Sequence, residues 1–347
     1  MKLKFGKKSI DIFHIKKNFF SNNDELLKKQ KQILRIYKKQ PKRKICKICK
    51  RKLQGEFFIN HQMKYVICNY CSHINGCHED TIEFSKEVYH SDKINYSQTY
   101  KSNDLKLFKE RQKSIYDPKV KFLFKNIRNI KKISVLDFGC GSGYLVSSLI
   151  DHGIKKVHGV EVSRSQIEFG KFIFKKYNKN PNTIEYVNQE NILSIVSNTD
   201  AKCIILIGVL EHLVDPHDLM KKIMGNKNIV YVYLCVPMFS ISCLIENSYE
   251  KVFNRLLGGG HTHLFTEKSL KLFMKKYKFL SLAEWWFGTD IMDLFRSFSV
   301  NMTKKSSLGL NKILNKFKLI IDDLQLSVDK KKMSSQVHVI FKKSKWN

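Results

Sequence analysis

Apolar residues form short, nearly continuous runs from residue 133 onward, and stretches of helical spacing separate these runs. Such runs are typical of strands buried on both faces, and helical crossovers between them favour parallel pairing. The predicted strands cover residues 133–138, 157–162, 184–187, 201–207, 229–236, 279–287 and 335–342. The pattern therefore predicts an α/β fold whose sheet has seven strands and is mostly parallel.

Helical patterns also lie outside this alternation. In the Lys-rich first 40 residues, the stretch 24–37 has apolar residues at helical spacing, and Asp117 and Pro118 mark the start of another helix. About 47 residues, 288–334, separate the last two predicted strands and are partly helical in pattern, whereas a hairpin needs only a few. This helical insertion would either cover a substrate site or form a homodimer surface, and the sequence does not separate these alternatives.

Two Cys-x-x-Cys pairs, eighteen residues apart, lie near the N-terminus: Cys46 and Cys49, then Cys68 and Cys71. The two-residue gap lets both thiolates of a turn face one tetrahedral ion, and strand-like apolar runs separate the pairs, as in a zinc ribbon. His73, Cys77 and His78 follow and could in principle replace a thiolate, but four cysteines already complete the shell. With no open position, the zinc ion predicted here is structural rather than catalytic.

A glycine-dense turn follows the first run of the α/β pattern, at Gly139, Gly141 and Gly143, and a helical pattern begins at Tyr144. Glycines let a ligand lie directly against the backbone and adopt φ values that other residues avoid. Glu161 closes the next apolar run, where a carboxylate at a strand end would reach two ribose hydroxyls. The pattern predicts a nucleotide site, although the glycine spacing matches neither the dinucleotide fingerprint nor a P-loop.

At these residues the chain resembles the class I S-adenosylmethionine (SAM) dependent methyltransferases, which implies a Rossmann-like fold. Further matching pieces are Gln-Glu-Asn at 189–191 and Ile-Gly-Val-Leu-Glu-His-Leu-Val-Asp-Pro at 207–216. The resemblance implies a SAM site made of Asp137, Gly139, Cys140, Gly141, Gly143, Tyr144, Glu161, Glu190, Asn191, Ile192, Gly208 and Val209. Asp137 would lie near the SAM ammonium, Glu161 at the ribose and 190–192 at the adenine edge, where Gln-Glu-Asn departs from the common Gly-Asp.

Methyl transfer is an in-line displacement, so the protein chiefly aligns the acceptor and removes a proton when the acceptor is a hydroxyl or a carbon acid. A histidine near its ordinary pKa suits that proton. The resemblance to small-molecule O- and C-methyltransferases points to His212 and His263, with His261 ranked below them. The alternatives are structural, because His212 could bond a backbone carbonyl and His263 could brace the helix that Thr266 is predicted to cap.

Over nearly the whole chain, a cysteine-rich zinc domain joined to a SAM domain resembles bacterial sugar methyltransferases. That resemblance implies a small-molecule acceptor, such as a nucleotide-linked sugar or another glycan-biosynthesis intermediate. The alternatives are an RNA methyltransferase and a non-catalytic SAM-binding scaffold. The predicted organisation is a basic helical segment at 1–40, a zinc-ribbon-like domain at 41–80, a linker and helix at 81–127, and a SAM-binding domain at 128–347 that contains the insertion at 288–334.

The net charge of +32 favours an anionic partner, but the kind of basic residue weakens the case for nucleic acid. Of the 63 basic residues, 55 are Lys and 8 are Arg, whereas proteins that read nucleic acids favour the bidentate guanidinium of Arg.

The longest uncharged run, 229–245, contains Pro237 and is predicted to be a buried strand rather than a membrane span. Nine cysteines and an N-terminus without an apolar signal core predict a reducing compartment, the cytoplasm.

Overall fold

The computed structural model describes residues 1–8, 15, 22–90, 105–258, 261–302 and 316–344. Within them, eight strands form a central sheet and four form a smaller one. The strands in chain order are β1 (Lys2–Phe5), β2 (Phe57–Asn60), β3 (Met63–Ile67), β4 (Ile74–Gly76), β5 (Val135–Phe138), β6 (Val157–Glu161), β7 (Ile184–Tyr186), β8 (Cys203–Ile207), β9 (Tyr231–Pro237), β10 (His263–Leu264), β11 (Phe279–Trp286) and β12 (Gln336–Lys343).

The central sheet has the strand order β1-β11-β12-β9-β8-β5-β6-β7. The five strands from β9 to β7 pair in parallel, and β12 runs antiparallel to both of its neighbours, β9 and β11. Strands β5, β8 and β9 are almost entirely buried, which explains why their sequences are continuous apolar runs. The predicted, mostly parallel α/β sheet is confirmed, and all seven predicted strands are present.

The eighth strand, β1, corrects the predicted number of seven. Sequence analysis assigned the first 40 residues to a helical segment, yet Lys2–Phe5 pairs in parallel with the β11 residues from Ala283 to Trp286 at the sheet edge. Lys2, Leu3, Lys4 and Phe5 do alternate between polar and apolar, but four residues in a Lys-rich segment are a weak strand signal, so the strand depends on pairing with β11. The Nζ atom of Lys4 lies 3.5 Å from the Trp285 ring centroid and holds β1 against this edge.

Two apolar cores lie on opposite faces of the central sheet. Ile204 and Leu206 belong to one core and Cys203 and Ile205 to the other, as alternation along a strand requires. The helices of more than one turn are Asn23–Lys38, Leu105–Arg111, Asp117–Asn126, Tyr144–Asp151, Arg164–Lys176, Ile192–Asn198, Pro216–Gly225, Ile241–Ser248, Glu267–Lys276, Asp290–Asn301 and Ile321–Lys330. In the described part of the chain, none of the helices combines the length and apolar composition that crossing a membrane requires.

The smaller sheet contains the predicted zinc-ribbon strands β2, β3 and β4, but it also takes one strand from the central domain. Its order is β10-β4-β3-β2, and β10 pairs His263 with Asn75 and Leu264 with Ile74. The ribbon is therefore joined to the central domain by backbone hydrogen bonds. This link is not visible in the sequence of residues 41–80, because the two-residue strand β10 is too short to form a recognisable pattern.

The predicted amphipathic helix at 24–37 is confirmed as Asn23–Lys38. It buries Ile33, Leu34 and Tyr37 in an apolar cluster that also contains Leu257 from the central domain. The Tyr37 hydroxyl donates a hydrogen bond to a carbonyl of the ribbon segment, that of His78, at 2.5 Å. This helix therefore packs against the ribbon and the central domain together.

The predicted insertion at 288–334 contains two helices, Asp290–Asn301 and Ile321–Lys330, and its residues 303–315 lie outside the described part of the chain. Buried acidic side chains fix the first helix to its neighbours. Asp290 accepts hydrogen bonds from the hydroxyls of Ser240 and Ser242, at 2.6 and 2.7 Å. Asp293 pairs with Arg255 at 2.6 Å, so the insertion is tied to the segment that leads to His261.

Candidate active site and metal centre

The glycine turn lies at the carboxyl end of β5, in the middle of the central sheet. Gly139, Gly141 and Gly143 have φ values of 76°, 55° and 75°, a region that side chains disfavour. A Cβ atom on Gly139 would lie 2.8 Å from Cγ2 of Val209, so the turn packs directly against the loop after β8. The predicted cofactor-binding residues of these two loops therefore lie next to each other.

Glu161, at the end of β6, holds the glycine turn through its carboxylate. Its Oε2 accepts a hydrogen bond from the Gly141 N–H at 2.9 Å, and its Oε1 accepts from the N–H groups of Val162 and Ser163 at 2.8 and 3.0 Å. Burial raises the pKa of Glu161, and these three amides oppose the rise. A carboxylate offers about four acceptor positions, so about one remains, on Oε2, for a ribose hydroxyl.

Asp137 lies at the same end of β5, 3% exposed. Burial raises its pKa to about 7, and the ammonium of Lys119 opposes the rise. Lys119 comes from the helix Asp117–Asn126 and is itself buried, which lowers its pKa. Lys119 is not among the predicted site residues, although it precedes the core residues Phe122 and Leu123 by three and four positions and so shares their helix face.

Tyr144 begins the helix after the glycine turn, and its ring lies between two aromatic side chains. The ring centroid is 4.2 Å from that of Phe108 and 5.2 Å from that of Tyr116, and both pairs are stacked. The segment 105–116 therefore covers the start of this helix. Cys140 is buried in an apolar cluster, and burial raises the pKa of its thiol well above the ordinary value, which agrees with a filler of the turn rather than a nucleophile.

The residues predicted at the adenine edge lie between β7 and the helix Ile192–Asn198. Ile192 is buried against the central core, whereas the side chains of Glu190 and Asn191 are exposed. The backbone turns tightly here, since the Asn191 N–H donates to the Asn188 carbonyl at 2.9 Å. Ile192 can form an apolar wall, and Glu190 and Asn191 lie at its rim.

Glu211, His212 and His261 converge in the loop after β8. Gly208 and Val209 open this loop, and a helical turn at Leu210–His212 follows. Ligand-type atoms of the three side chains all lie within 4.8 Å of one another. The imidazole rings of His212 and His261 are stacked, with centroids 5.1 Å apart. Two of the three predicted catalytic histidines are thus brought together, and Glu211 was not predicted with them.

Within this group Glu211 is buried, whereas His212 and His261 are half-buried. Glu211 is 5% exposed, burial raises its pKa to about 8, and its Oε2 has no hydrogen-bond partner among the described residues. Burial and the charge of Arg255 lower the pKa of His261 to about 4, so its ring is neutral at pH 7. The Nδ1 atom of His261 lies 3.2 Å from the Leu256 carbonyl oxygen.

His263 lies elsewhere, in the interface between the ribbon and the central domain. Its Nδ1 is 3.0 Å from Nε2 of His73, and Nδ1 of His73 is 3.3 Å from the Ser269 hydroxyl. Both rings are fully buried, and burial lowers the pKa of each well below its ordinary value. The structure does not bring His263 together with His212 and His261, and it agrees with the bracing role that sequence analysis gave as the alternative.

The four cysteines of the ribbon also converge. Their Sγ atoms all lie within 4.8 Å of one another, and the pairs Cys46–Cys71 and Cys49–Cys68 are each 3.6 Å apart. A tetrahedral zinc ion with Zn–S bonds of about 2.3 Å has S–S edges of about 3.8 Å, so the geometry fits zinc. The side-chain amide of Asn75 donates to Sγ of Cys46 at 3.5 Å, as outer partners of ligating thiolates do.

A family model described as a methyltransferase domain matches residues 108–282, half of the 347-residue chain. The match begins at Phe108, which stacks on Tyr144, and ends within β11. It includes the glycine turn, Glu161 and the group formed by Glu211, His212 and His261.

Solved structures of methyltransferases are similar to this chain at low sequence identity. A SAM dependent methyltransferase from Archaeoglobus fulgidus is 18% identical, with a TM-score of 0.41 and coverage of 68% of this chain and 98% of that one. Magnesium protoporphyrin IX methyltransferase from Synechocystis PCC 6803 is 12% identical, with a TM-score of 0.41 and coverage of 75% and 92%. Geranyl diphosphate C-methyltransferase from Streptomyces coelicolor A3(2) is 12% identical, with a TM-score of 0.40 and coverage of 70% and 85%. No curated protein matches the chain in sequence.

Proposed function

The chain belongs to the methyltransferase-domain family and is a SAM-dependent methyltransferase, and we propose that it methylates a nucleotide-linked sugar or a related small intermediate of glycan biosynthesis. The observation that carries this proposal is the grouping of Glu211, His212 and His261 beside the glycine turn. A titratable group at the carboxyl end of β8 lies where an acceptor would meet the SAM methyl group, since ligands of such sheets bind across the carboxyl ends of the strands.

In the proposed reaction, an acceptor oxygen attacks the methyl carbon of SAM in line with the C–S bond. The C–O bond forms as the C–S bond breaks, and the electron pair of the broken bond moves to sulfur, which leaves S-adenosylhomocysteine. The acceptor hydroxyl must lose its proton, and His212 is the proposed base. A positioned base of this kind contributes about 10²–10⁴-fold to the rate.

For the cofactor, we propose that the backbone of the glycine turn lies against the methionine part of SAM. Asp137 would pair with the ammonium, Glu161 would accept one ribose hydroxyl, and Ile192 would pack on the adenine. The rim residues Glu190 and Asn191 would meet the adenine edge. Burial supports the assignment of Asp137, since a carboxylate with a pKa of about 7 gains from a neighbouring ammonium.

Positive charge near the end of β9 supports an acceptor that carries phosphate. Burial lowers the pKa of His338, and the nearby charges of Lys119, Lys7 and Lys4 lower it further. The Nζ atoms of Lys4 and Lys7 lie 3.5 and 5.4 Å from the ring centroids of Trp285 and Phe287, and Trp285 is level with the carboxyl end of β9 because His338 pairs with both Trp285 and Cys235. A nucleotide diphosphate bound there would neutralise this charge.

For the ribbon, we propose a structural zinc ion held by the four cysteines. The shell would be closed, and the ribbon would serve to hold β10 and the residues before it, 261–262, in place. His263 and His73 would then brace this interface and take no part in the reaction.

A transfer assay tests the proposed acceptor. Labelled SAM is incubated with the protein and either nucleotide sugars or total RNA, at two salt concentrations, and the label is followed into each fraction. Label in the nucleotide-sugar fraction is the expected result, with loss of transfer in His212→Gln and not in His158→Gln. His158 is a suitable control because it lies on β6, half-exposed and paired with Glu185 at 3.0 Å.

RNA is the alternative acceptor, and the net charge of +32 is the observation that favours it. Label entering RNA, with binding that weakens steeply as salt rises, would mean that the lysines bind phosphates of a polynucleotide. Absence of SAM binding in calorimetry, by protein with an intact fold, would contradict both acceptor classes.

A further inference from the structure

We infer that Glu211, His212 and His261 form a binding site for a divalent first-row transition-metal ion, separate from the cysteine centre. Two imidazoles and one carboxylate suit ions such as Mn²⁺, Fe²⁺ or Zn²⁺, and their ligand-type atoms already lie within 4.8 Å of one another. Three protein ligands leave coordination positions open for water or an acceptor oxygen. The inference that the ion binds is independent of the proposed acceptor, whereas its role in the reaction rests on that proposal.

An orphaned oxygen gives this inference independent support. Glu211 is 5% exposed, and its Oε2 has no hydrogen-bond partner among the residues that the structure describes. Buried polar atoms are nearly always paired, and each exception needs an explanation. A cation bound at Oε2 would supply the missing partner and would offset the cost of burying the carboxylate.

His261 is oriented as a metal ligand would be. Its Nδ1 lies 3.2 Å from the Leu256 carbonyl oxygen, an acceptor, so Nδ1 carries the proton and Nε2 carries the free lone pair. Ligating histidines commonly donate their second N–H to a carbonyl in this way. The positive charge of Arg255, close by in the chain, is offset in part by its 2.6 Å pair with Asp293.

The two centres are chemically distinct. Thiolates prefer soft or borderline ions such as Zn²⁺, whereas imidazole and carboxylate also accept harder ions such as Mn²⁺. Zinc should therefore saturate the cysteines and leave the second site to Mn²⁺.

In the reaction, the ion would bind the acceptor hydroxyl and lower its pKa, so that the proton leaves to water before the oxygen attacks the methyl carbon. His212 would then hold the ion instead of removing the proton itself. Glu211 and His212 come from the loop after β8, and His261 comes from the segment just before β10. Binding of the ion would thus link these segments around the acceptor.

The experiment uses the full chain, first saturated with one equivalent of Zn²⁺ and then titrated with Mn²⁺. Free Mn²⁺ is followed by its electron paramagnetic resonance signal, which is lost on binding. We expect one further equivalent to bind to the unmodified protein, and we expect Glu211→Gln and His261→Gln to weaken it on the order of 10-fold or more. His158→Gln, a histidine replacement outside the group, should bind as the unmodified protein does.

Circular dichroism and calorimetric SAM binding report whether each variant is folded, and two ligand variants are used in case one fails. Two results would overturn the inference. One is that the unmodified protein takes up no Mn²⁺, and no Zn²⁺ beyond the first equivalent. The other is that folded Glu211→Gln and His261→Gln bind the ion undiminished. Methyl transfer to a nucleotide sugar without a second ion would contradict only the role of the ion in the reaction, and ion binding without any transfer would contradict the proposed acceptor alone.

Discussion

Two groups of ligand-type side chains in this protein differ in how the chain brings them together. The four cysteines come from two short turns of the ribbon, and their geometry matches a closed tetrahedral shell. Glu211 and His212 are neighbours in sequence, but His261 comes from a distant segment and reaches them only through the packing of the central domain. A centre whose ligands come from two short turns and fill the coordination shell can stabilise the fold. A group that only the folded chain brings together, and that leaves coordination positions open, is available for chemistry.

The two regions are nevertheless physically connected. Strand β10 completes the ribbon sheet, and His263 in that strand contacts His73 of the ribbon at 3.0 Å. His261, two residues before, belongs to the other group. We therefore expect damage to the cysteine centre to lower stability first and to affect the reaction through the position of this segment.

The largest expected effect is loss of the zinc centre. Replacing Cys71 with Ser should abolish zinc binding and lower the free energy of unfolding by several kcal/mol, because structural zinc contributes about 10–16 kcal/mol in small zinc domains. Zinc content and urea denaturation measure the two effects. Cys77→Ser is the matched control, since Cys77 lies outside the shell with its Sγ 3.8 Å from the sulfur of Met63. A Cys71→Ser variant as stable as the unmodified protein would contradict the view that the cysteine centre stabilises the fold.

The second largest expected effect distinguishes His212 from His263, the two histidines predicted above His261 as catalytic. His212→Gln should reduce kcat by about 10²–10⁴-fold with little change in stability, because the side chain is proposed to act on the acceptor. His263→Gln should instead lower the free energy of unfolding by about 1–3 kcal/mol, because it removes the imidazole that pairs with Nε2 of the buried His73. Steady-state kinetics and urea denaturation of both variants provide the test. A loss of kcat in His263→Gln together with a loss of stability in His212→Gln would assign the catalytic role to His263 at the ribbon interface.

Asp137 offers a test with a defined pH dependence. Its pKa is raised from 3.8 to about 7 in the folded protein, so the folded state binds more protons than the unfolded one. Its contribution to stability is therefore greatest below pH 4 and is lost as the pH rises toward 7, by at most about 4 kcal/mol at 1.4 kcal/mol per pH unit. Asp137→Asn should gain stability relative to the unmodified protein between pH 5 and 8 and should bind SAM more weakly.

Urea denaturation at several pH values and calorimetry with SAM measure these opposite effects. Asp200→Asn is the control, because Asp200 is exposed and should change neither stability nor binding. A difference between Asp137→Asn and the unmodified protein that does not vary with pH would contradict the assigned ionisation.

Most of the fold was predictable because its signals are local. Each buried strand is a continuous apolar run, and the cysteine spacing of the ribbon defines its own geometry. Strand β1 was not predicted, because the alternation in Lys2–Phe5 is only four residues long and the strand depends on pairing with the edge of β11. The same is true of the two-residue strand β10, which exists through its pairing with β4.

The candidate site was predictable to the extent that it follows strand ends. The glycine turn, Glu161 and His212 each follow an apolar run and meet where expected. Lys119 was hidden within a helix, although its spacing to Phe122 placed it on the inner face. The separation of His261 from His263 could not be predicted, because residues two apart along an extended strand would share one side, and the sequence did not reveal that β10 begins only at His263 and joins the ribbon sheet.

The smallest expected effect concerns the cap of the helix that follows β10. Thr266 accepts a hydrogen bond from the Ser269 N–H at 3.1 Å, and Ser269 in turn accepts from the Thr266 N–H at 2.9 Å. The Thr266 hydroxyl also lies 2.9 Å from that of Ser72 in the ribbon, so one side chain serves both the helix and the interface. Thr266→Ala should lower the free energy of unfolding by about 1 kcal/mol, the usual effect of losing such a cap.

Thr266→Ser keeps the hydroxyl and should retain most of this stability, which makes it the matched control in urea denaturation. Neither variant should change kcat, because Thr266 contacts only the interface and its own helix. Equal destabilisation by Ala and Ser would assign the effect to the methyl group rather than to the cap. A fall in kcat with unchanged stability would instead give Thr266 itself a part in the reaction, and the division between a centre for the fold and a group for chemistry would no longer hold.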